Sequence, residues 1–344
     1  MKFGLFDHVD RSDRPVARQF DERLEFLAAA DEDGFHAYHV AEHHATPLNM
    51  VPVPGVWLGA IANATKRIRL GPLVYLLPLY SPLRLIEEIC MLDHLSHGRL
   101  DVGVGRGVSS FELNYHKVDH DTSRELFRDA YAAIVEGLTH DRLTHKGPYF
   151  TYDNVPMELR PLQQPHPPFW YPSSNATGAG WAGSQGLCFS TLGSVAHAKS
   201  CIDAFKAAYA KRNGPAVAYD GFPGGIAIAA NRHIVVADSD ADALRIAQPA
   251  YQHWYMNLTH LERQNQGGPR FTGNMFADAG EAAKQGSVIL GSPASVAATI
   301  ERQVAELGVN YMILGFFFGT IGFADAMRSL RLFAAEVMPK LARL

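Results

Sequence analysis

One pattern limits what this chain can fold into: short apolar runs alternate with longer amphipathic segments from one end to the other. Eight runs, at 2–7, 36–42, 68–75, 100–105, 169–173, 187–192, 226–236 and 311–316, read as strands. Between them lie helical periodicities. Val16, Phe20, Leu24 and Leu27 fall on one face of a helix that stops at Gly34, and segments 53–64 and 82–96 carry apolar faces. Phe323, Met327, Leu330, Ala334, Val337 and Leu341 step by four and three. The order Thr122-Ser123-Arg124-Glu125 has the spacing of a capping box ahead of a helix running to about Gly137. Strands separated by helices predict parallel β/α units. Eight units in 344 residues favour a closed (β/α)8 TIM barrel, one domain over 1–344, above an open doubly wound sheet. Two segments break the rhythm. The stretch 144–168 is Pro-rich and extended, an insertion between units, and 257–285 is polar with little periodicity, a long loop of the functional or mobile kind.

Composition narrows the function classes. With 47% hydrophobic and 19% charged residues and a mean hydropathy of −0.08, the chain has a soluble globular profile. A net charge of −4 leaves no basic footprint for nucleic acid or an anionic membrane. Cys90, Cys188 and Cys201 form no CxxC pair, which argues against a disulfide framework and for a reducing cytoplasm. Asp7 and Asp10 interrupt the opening before a signal peptide could form, and no run approaches the roughly 18 apolar residues of a membrane span.

Three clusters carry possible chemistry. His39, Glu42 and His43 match the inverted zinc-protease pattern HxxEH, which would make the chain a zinc hydrolase. That chemistry needs both histidines on one helix face, whereas this stretch starts just after Gly34 and breaks at Pro47, so a strand running into a loop is the better reading. Catalytic groups of barrel enzymes sit at such strand ends. The second cluster, Gly103-Val104-Gly105-Arg106-Gly107, resembles a dinucleotide turn but has Val108 where a final glycine belongs, and Arg106 adds a fixed charge suited to an anion. The third, 173–180, runs small hydroxyl and glycine residues into a helix start that could face a phosphate. Arg124 offers a further counter-charge. Leu76, Leu77, Tyr75, Tyr80 and Trp170 are candidates for an apolar wall.

Together these stretches resemble the bacterial luciferase family of flavin-dependent monooxygenases. The likeness runs through KFGLF, GFHAYHVAEHH, TKRIRLGPLVYLLPLYSPLRLIEE, LDHLSHGRLDVGVGRG, WAGSQG, GSPASV and EVMP. It implies a barrel that binds reduced FMN (FMNH2) at the carboxyl ends of its strands and a two-component enzyme fed by a separate NAD(P)H:flavin reductase. There O2 would form a C4a-peroxyflavin that oxygenates a small, apolar organic substrate. By the same resemblance His43 serves proton transfer beside the flavin, flanked by Glu42 and His44, and Glu112 matches an acidic position beyond the arginine loop. Arg106, the Val108 backbone and Arg124 would hold the FMN phosphate, with Ser174, Asn175, Thr177 and Gly178 as a second phosphate loop. The luciferase pattern has a carboxylate where this chain has Ser174. Leu73 and Val74 match a non-prolyl cis peptide under the flavin ring, 257–285 matches a mobile lid, and the helices within 56–64 and 83–95 would form a homodimer. No metal is implied, and light emission is not. Two alternatives share the fold: a deazaflavin-dependent oxidoreductase, and a non-catalytic flavin-binding protein.

Overall fold

The computed structural model describes every residue except 214–218, 220, 223–224 and 267–275. The first units are β1 (Lys2–Asp7), α1 (Val16–Glu32), β2 (Ala37–Val40), α2 (Pro54–Ala64) and β3 (Arg69–Pro72). A cis peptide joins Leu73 to Val74, and β4 (Tyr75–Leu76) carries the strand on. Then come α3 (Pro82–Leu95), β5 (Val102–Gly105), α4 (Ser110–Tyr115) and α5 (Ser123–Thr139). An antiparallel hairpin of β6 (Arg142–Lys146) and β7 (Thr151–Pro156) stands at the expected insertion. The second half adds β8 (Phe169–Pro172), α6 (Ala176–Gln185), β9 (Cys188–Thr191), α7 (Val195–Tyr209), β10 (Ile228–Val236) and α8 (Asp240–Leu258). It ends with α9 (His260–Gln266), α10 (Ala279–Lys284), β11 (Val288–Gly291), α11 (Pro293–Leu307), β12 (Tyr311–Gly315), α12 (Phe323–Leu332), a π turn (Phe333–Val337) and α13 (Met338–Leu341).

Parallel pairing runs β3–β2–β1–β12–β10–β9–β8–β5, and a bridge from Leu70 to Leu100 returns β3 to β5, so the ring closes. Closure at this seam depends on two glycines. A Cβ on Gly71 would lie 2.1 Å from the Asp101 carbonyl oxygen, and one on Gly103 would lie 2.3 Å from that of Pro72. Only glycine lets the two backbones approach so closely. The (β/α)8 barrel is therefore as the alternation predicts, and each of its eight strands falls within an expected run.

Three local readings need correction. Thr122 and Glu125 form no capping box: Thr122 already has helical φ and ψ of −86° and −13°, its hydroxyl donates to the Asp119 carbonyl, and Glu125 accepts from Tyr149 instead. The unexpected β11 pairs with the last residues of β10, off the ring. Within 257–285 the described flanks are helical, in α9 and α10, while 267–275, the centre of the expected lid, lies outside the described residues.

The barrel interior is packed at the amino ends of its strands. The Tyr219 hydroxyl donates to Oδ2 of fully buried Asp101 at 2.5 Å, and Arg69 Nε donates to Oδ1 at 2.8 Å. His36 and Tyr219 share a hydrogen bond at 3.2 Å. This buried charge is paired and hydrogen-bonded, as a charge in low dielectric must be. Above it, His39 Nε2 meets the Tyr311 hydroxyl at 3.2 Å beside Trp170, with all three rings buried. Chemistry is left to the opposite end.

Candidate active site

The carboxyl ends of β1, β2, β3, β5, β8 and β9 open onto a cavity of about 290 Å³. Small-molecule sites of barrel enzymes occupy this end. One wall is apolar, from Phe6, Ala41, Leu73, Val74, Leu76 and Leu113. Gly105 keeps it open, since a Cβ there would come within 2.6 Å of Val74 Cγ2. Of the proposed wall residues only Leu76 lines the cavity. Tyr75, Leu77 and Trp170 are fully buried in packing, and the Tyr80 hydroxyl bonds to Glu42.

At one end stands a hydrogen-bonded acid–histidine group. His43 follows β2, and its Nδ1–H donates to Glu112 Oε1 at 3.1 Å. The His44 backbone N–H donates to the other oxygen, Oε2, at 2.8 Å. Burial pushes His43 down, but the carboxylates of Glu112 first, then Glu42 and Glu262, together outweigh it and hold the imidazole above its ordinary 6.5. Glu112 is reciprocally below its ordinary 4.5: burial raises it, and His43 together with the His44 backbone N–H and ring more than offset that. Glu42 faces the cavity edge, accepting from His44 Nε2 at 2.8 Å and from the Leu76 backbone at 2.9 Å, and burial raises its pKa. His44 is not among the lining residues. It orients Glu42 and packs against His116 at 4.5 Å between ring centroids.

His39, Glu42 and His43 do not share a helix face: the first sits in the strand inside the barrel and the others follow in loop. Among the described residues no cluster of three His, Cys, Asp or Glu side chains is placed to hold a metal. Cys90, Cys188 and Cys201 are buried and free.

The other end is cationic and rich in donors. Arg106 follows β5, Arg124 and Arg128 stand in the first turns of α5, and all three line the cavity. Burial pushes the Tyr171 phenol up while these three guanidinium groups pull it down, so they converge on one place. Among the described residues none of the three makes an ion pair, and Arg106 meets only His120, at 3.3 Å. Ser174, Asn175, Thr177 and Gly178 face them from the start of α6. Asn175 Oδ1 caps the helix by accepting from the Gly178 N–H at 2.9 Å, and a Cβ on Gly178 would strike Ser173 Oγ at 2.4 Å. Val108, 68% exposed, and Gly107, with φ +92°, complete the arginine turn. Three cations without a protein anion, hydroxyl donors and a helix N-terminus suit a phosphate dianion. The apolar wall suits a flat ring system, so the donor set fits FMN.

Leu73, Val74, Arg106, Val108, Arg124, Ser174, Asn175, Thr177, Gly178, Glu42 and His43 are thus brought to one cavity. Sequence reasoning missed His8, Arg128 and Asn231, which also line it. Arg128 lies four residues after Arg124 on α5, a spacing that could have pointed to it.

A model of the luciferase-like monooxygenase family matches residues 1–311. The chain belongs to that family and is an enzyme of the flavin-dependent monooxygenase class. It is 34% identical over 340 residues to the uncharacterized protein y4wF of Sinorhizobium fredii, covering 99% of this chain and 97% of that one. With the oxygenase component of the flavin-dependent trigonelline monooxygenase of Acinetobacter baylyi it shares 36% identity over 174 residues, spanning about half of each chain (49% and 48%). The crystal structure of monooxygenase RslO1 from Streptomyces bottropensis matches with a TM-score of 0.85, 24% identity and coverage of 99% and 100%. The oxygenating constituent of 3,6-diketocamphane monooxygenase from Pseudomonas putida, in complex with FMN, gives 0.78 at 19% identity over 99% and 98%. At these identities the two structures speak for the fold.

Proposed function

We propose that this chain is the oxygenase of a two-component system, using reduced FMN and O2 to oxygenate a small organic substrate. One observation carries the reading: a single cavity joins an unpaired three-arginine end to an apolar wall and the His43–Glu112 pair. The phosphate of FMN would lie with Arg106, Arg124, Ser174 and Thr177, and its rings against Leu73, Val74 and Leu76. Bound reduced flavin supplies the two electrons with which one oxygen atom is inserted into substrate and the other leaves as water.

This chain's residues do the rest. Glu112 fixes the His43 ring through Nδ1 and favours its charged form, so a proton held at Nε2 is available to the cavity. Phe6, Ala41, Leu76 and Leu113 exclude water from that place. In this reading a separate NAD(P)H:flavin reductase supplies the reduced flavin, as the name of the trigonelline monooxygenase's oxygenase component suggests for that relative. We place a homodimer on α2 and α3, whose exposed apolar residues include Val53 and Val56 at the start of α2 and Met91 and Leu95 at the end of α3. Three buried free cysteines suit a reducing cytoplasm, and no helix among the described residues is long and apolar enough to cross a membrane.

The test is anaerobic titration with reduced FMN beside the reduced deazaflavin. Saturable binding of FMN with weaker deazaflavin uptake supports the proposal. The reverse preference would make the chain a deazaflavin-dependent oxidoreductase of the same fold.

A further inference from the structure

We propose that His8 is a substrate-binding residue, a neutral imidazole whose Nε2–H, fixed by Trp254, donates to a carbonyl or phenolic oxygen of the substrate next to His43. The proposal deepens the flavin-monooxygenase reading and rests on it.

The tautomer follows from one hydrogen bond. Trp254 Nε1–H, on α8, points at His8 Nδ1 at 3.3 Å. An indole nitrogen can only donate, so Nδ1 must accept, and a neutral ring then carries its proton on Nε2. The ring is also fixed in orientation. Phe6 meets it edge-on at 4.8 Å, and Trp254 is itself held by His233 at 4.2 Å and Tyr251 at 5.1 Å. Burial first, then the neighbouring His43 and His233, push His8 well below the ordinary 6.5, which keeps it neutral.

His8 lines the cavity beside His43, with centroids 5.8 Å apart and planes at 27°. Among the described residues Nε2 of His8 has no protein partner. The cavity therefore presents two nearly parallel imidazoles of opposite tendency, one whose charged form Glu112 favours and one kept neutral by burial with its tautomer fixed by Trp254. A neutral N–H beside an imidazole whose charged form is favoured selects for a hydrogen-bond acceptor and against an organic cation. A hydrocarbon would leave the Nε2–H without a partner, and an unpaired buried donor is costly.

The test uses acetophenone and ethylbenzene, similar in size and differing by the carbonyl oxygen, titrated calorimetrically into FMN-loaded protein. Wild type is expected to favour acetophenone about tenfold. His8→Phe should bring the two within about twofold, His8→Gln, which keeps a donor, should restore part of the preference, and Trp254→Phe should weaken it. An unchanged preference in His8→Phe, no preference in wild type, or no uptake of acetophenone would overturn the proposal. FMN affinity is measured for every variant. If wild type takes up no reduced FMN in the anaerobic titration, the flavin reading fails by itself, and the same comparison on the flavin-free protein then decides the role of His8.

Discussion

His43 Nδ1 lies 3.1 Å from Glu112 Oε1, across 69 residues of chain, and this pair lines the same cavity as Arg106, Arg124 and Arg128. The histidine comes from the end of β2 and the acid from the short helix α4, so neither element alone carries the chemistry.

The pair makes a pH prediction. The folded pKa of His43 is raised, so the stability it contributes is fully present below about 6.5 and is lost as pH rises through the raised folded value. Glu112 works in the other sense: its contribution is present above about 4.5 and is lost as pH falls through its depressed folded value. Glu112→Gln removes the largest of the carboxylate contributions that raise it and leaves burial opposed only by Glu42 and Glu262, so the His43 titration followed by NMR should move to lower pH. An unmoved titration would contradict the assignment.

The arginine end makes a separate prediction. Arg106→Ala or Arg124→Ala should weaken FMN binding roughly tenfold to a hundredfold and leave riboflavin, which lacks the phosphate, almost unaffected. Fluorescence titration with both ligands separates the outcomes. Equal losses for the two would place the phosphate elsewhere.

Sequence alone reached far into this fold because most barrel strands are short, mainly apolar runs bounded by loops, the pattern of a strand buried on both faces, although β10 carries Asn231, Arg232 and His233 in its middle. The four-residue β11 escaped because Val288–Gly291 stands beside a polar region and pairs only with the far end of β10. Thr122 and Glu125 misled through spacing, since a capping box needs a non-helical first residue and Thr122 is already helical. At the site, Arg106 and the residues of 173–178 were each weak signals by type, since a Ser/Gly loop after a strand is ordinary, and only their placement around one cavity groups them. His8 was not readable, because a lone histidine beside a strand carries no signal until Trp254, 246 residues away, is seen to fix its tautomer. Trp170 and Tyr75 were legible as large apolar groups, but only packing decides whether such a ring faces a ligand or its neighbours.

The amino end of the barrel should affect stability without touching the site. Tyr219→Phe removes the donor to buried Asp101 and should cost about 1–3 kcal/mol, read as a lower urea midpoint with FMN affinity unchanged. A comparable loss of FMN binding would show that the two ends of the barrel are coupled.

Association through α2 and α3 is checked by light scattering. The wild-type chain should be a dimer at micromolar concentration, and Val56→Asp, placing a charge on a residue 76% exposed in the single chain, should shift it towards monomer. A wild-type monomer would remove this interface.

The most direct measurement loads the protein anaerobically with reduced FMN and mixes it with oxygenated buffer in a stopped-flow absorbance cell. The account predicts a near-ultraviolet flavin absorbance, distinct from oxidised FMN, that persists far longer than in free solution and is shortened in Glu112→Gln. Oxidation to FMN at the rate of free flavin, with no such phase, would contradict a monooxygenase site in this cavity.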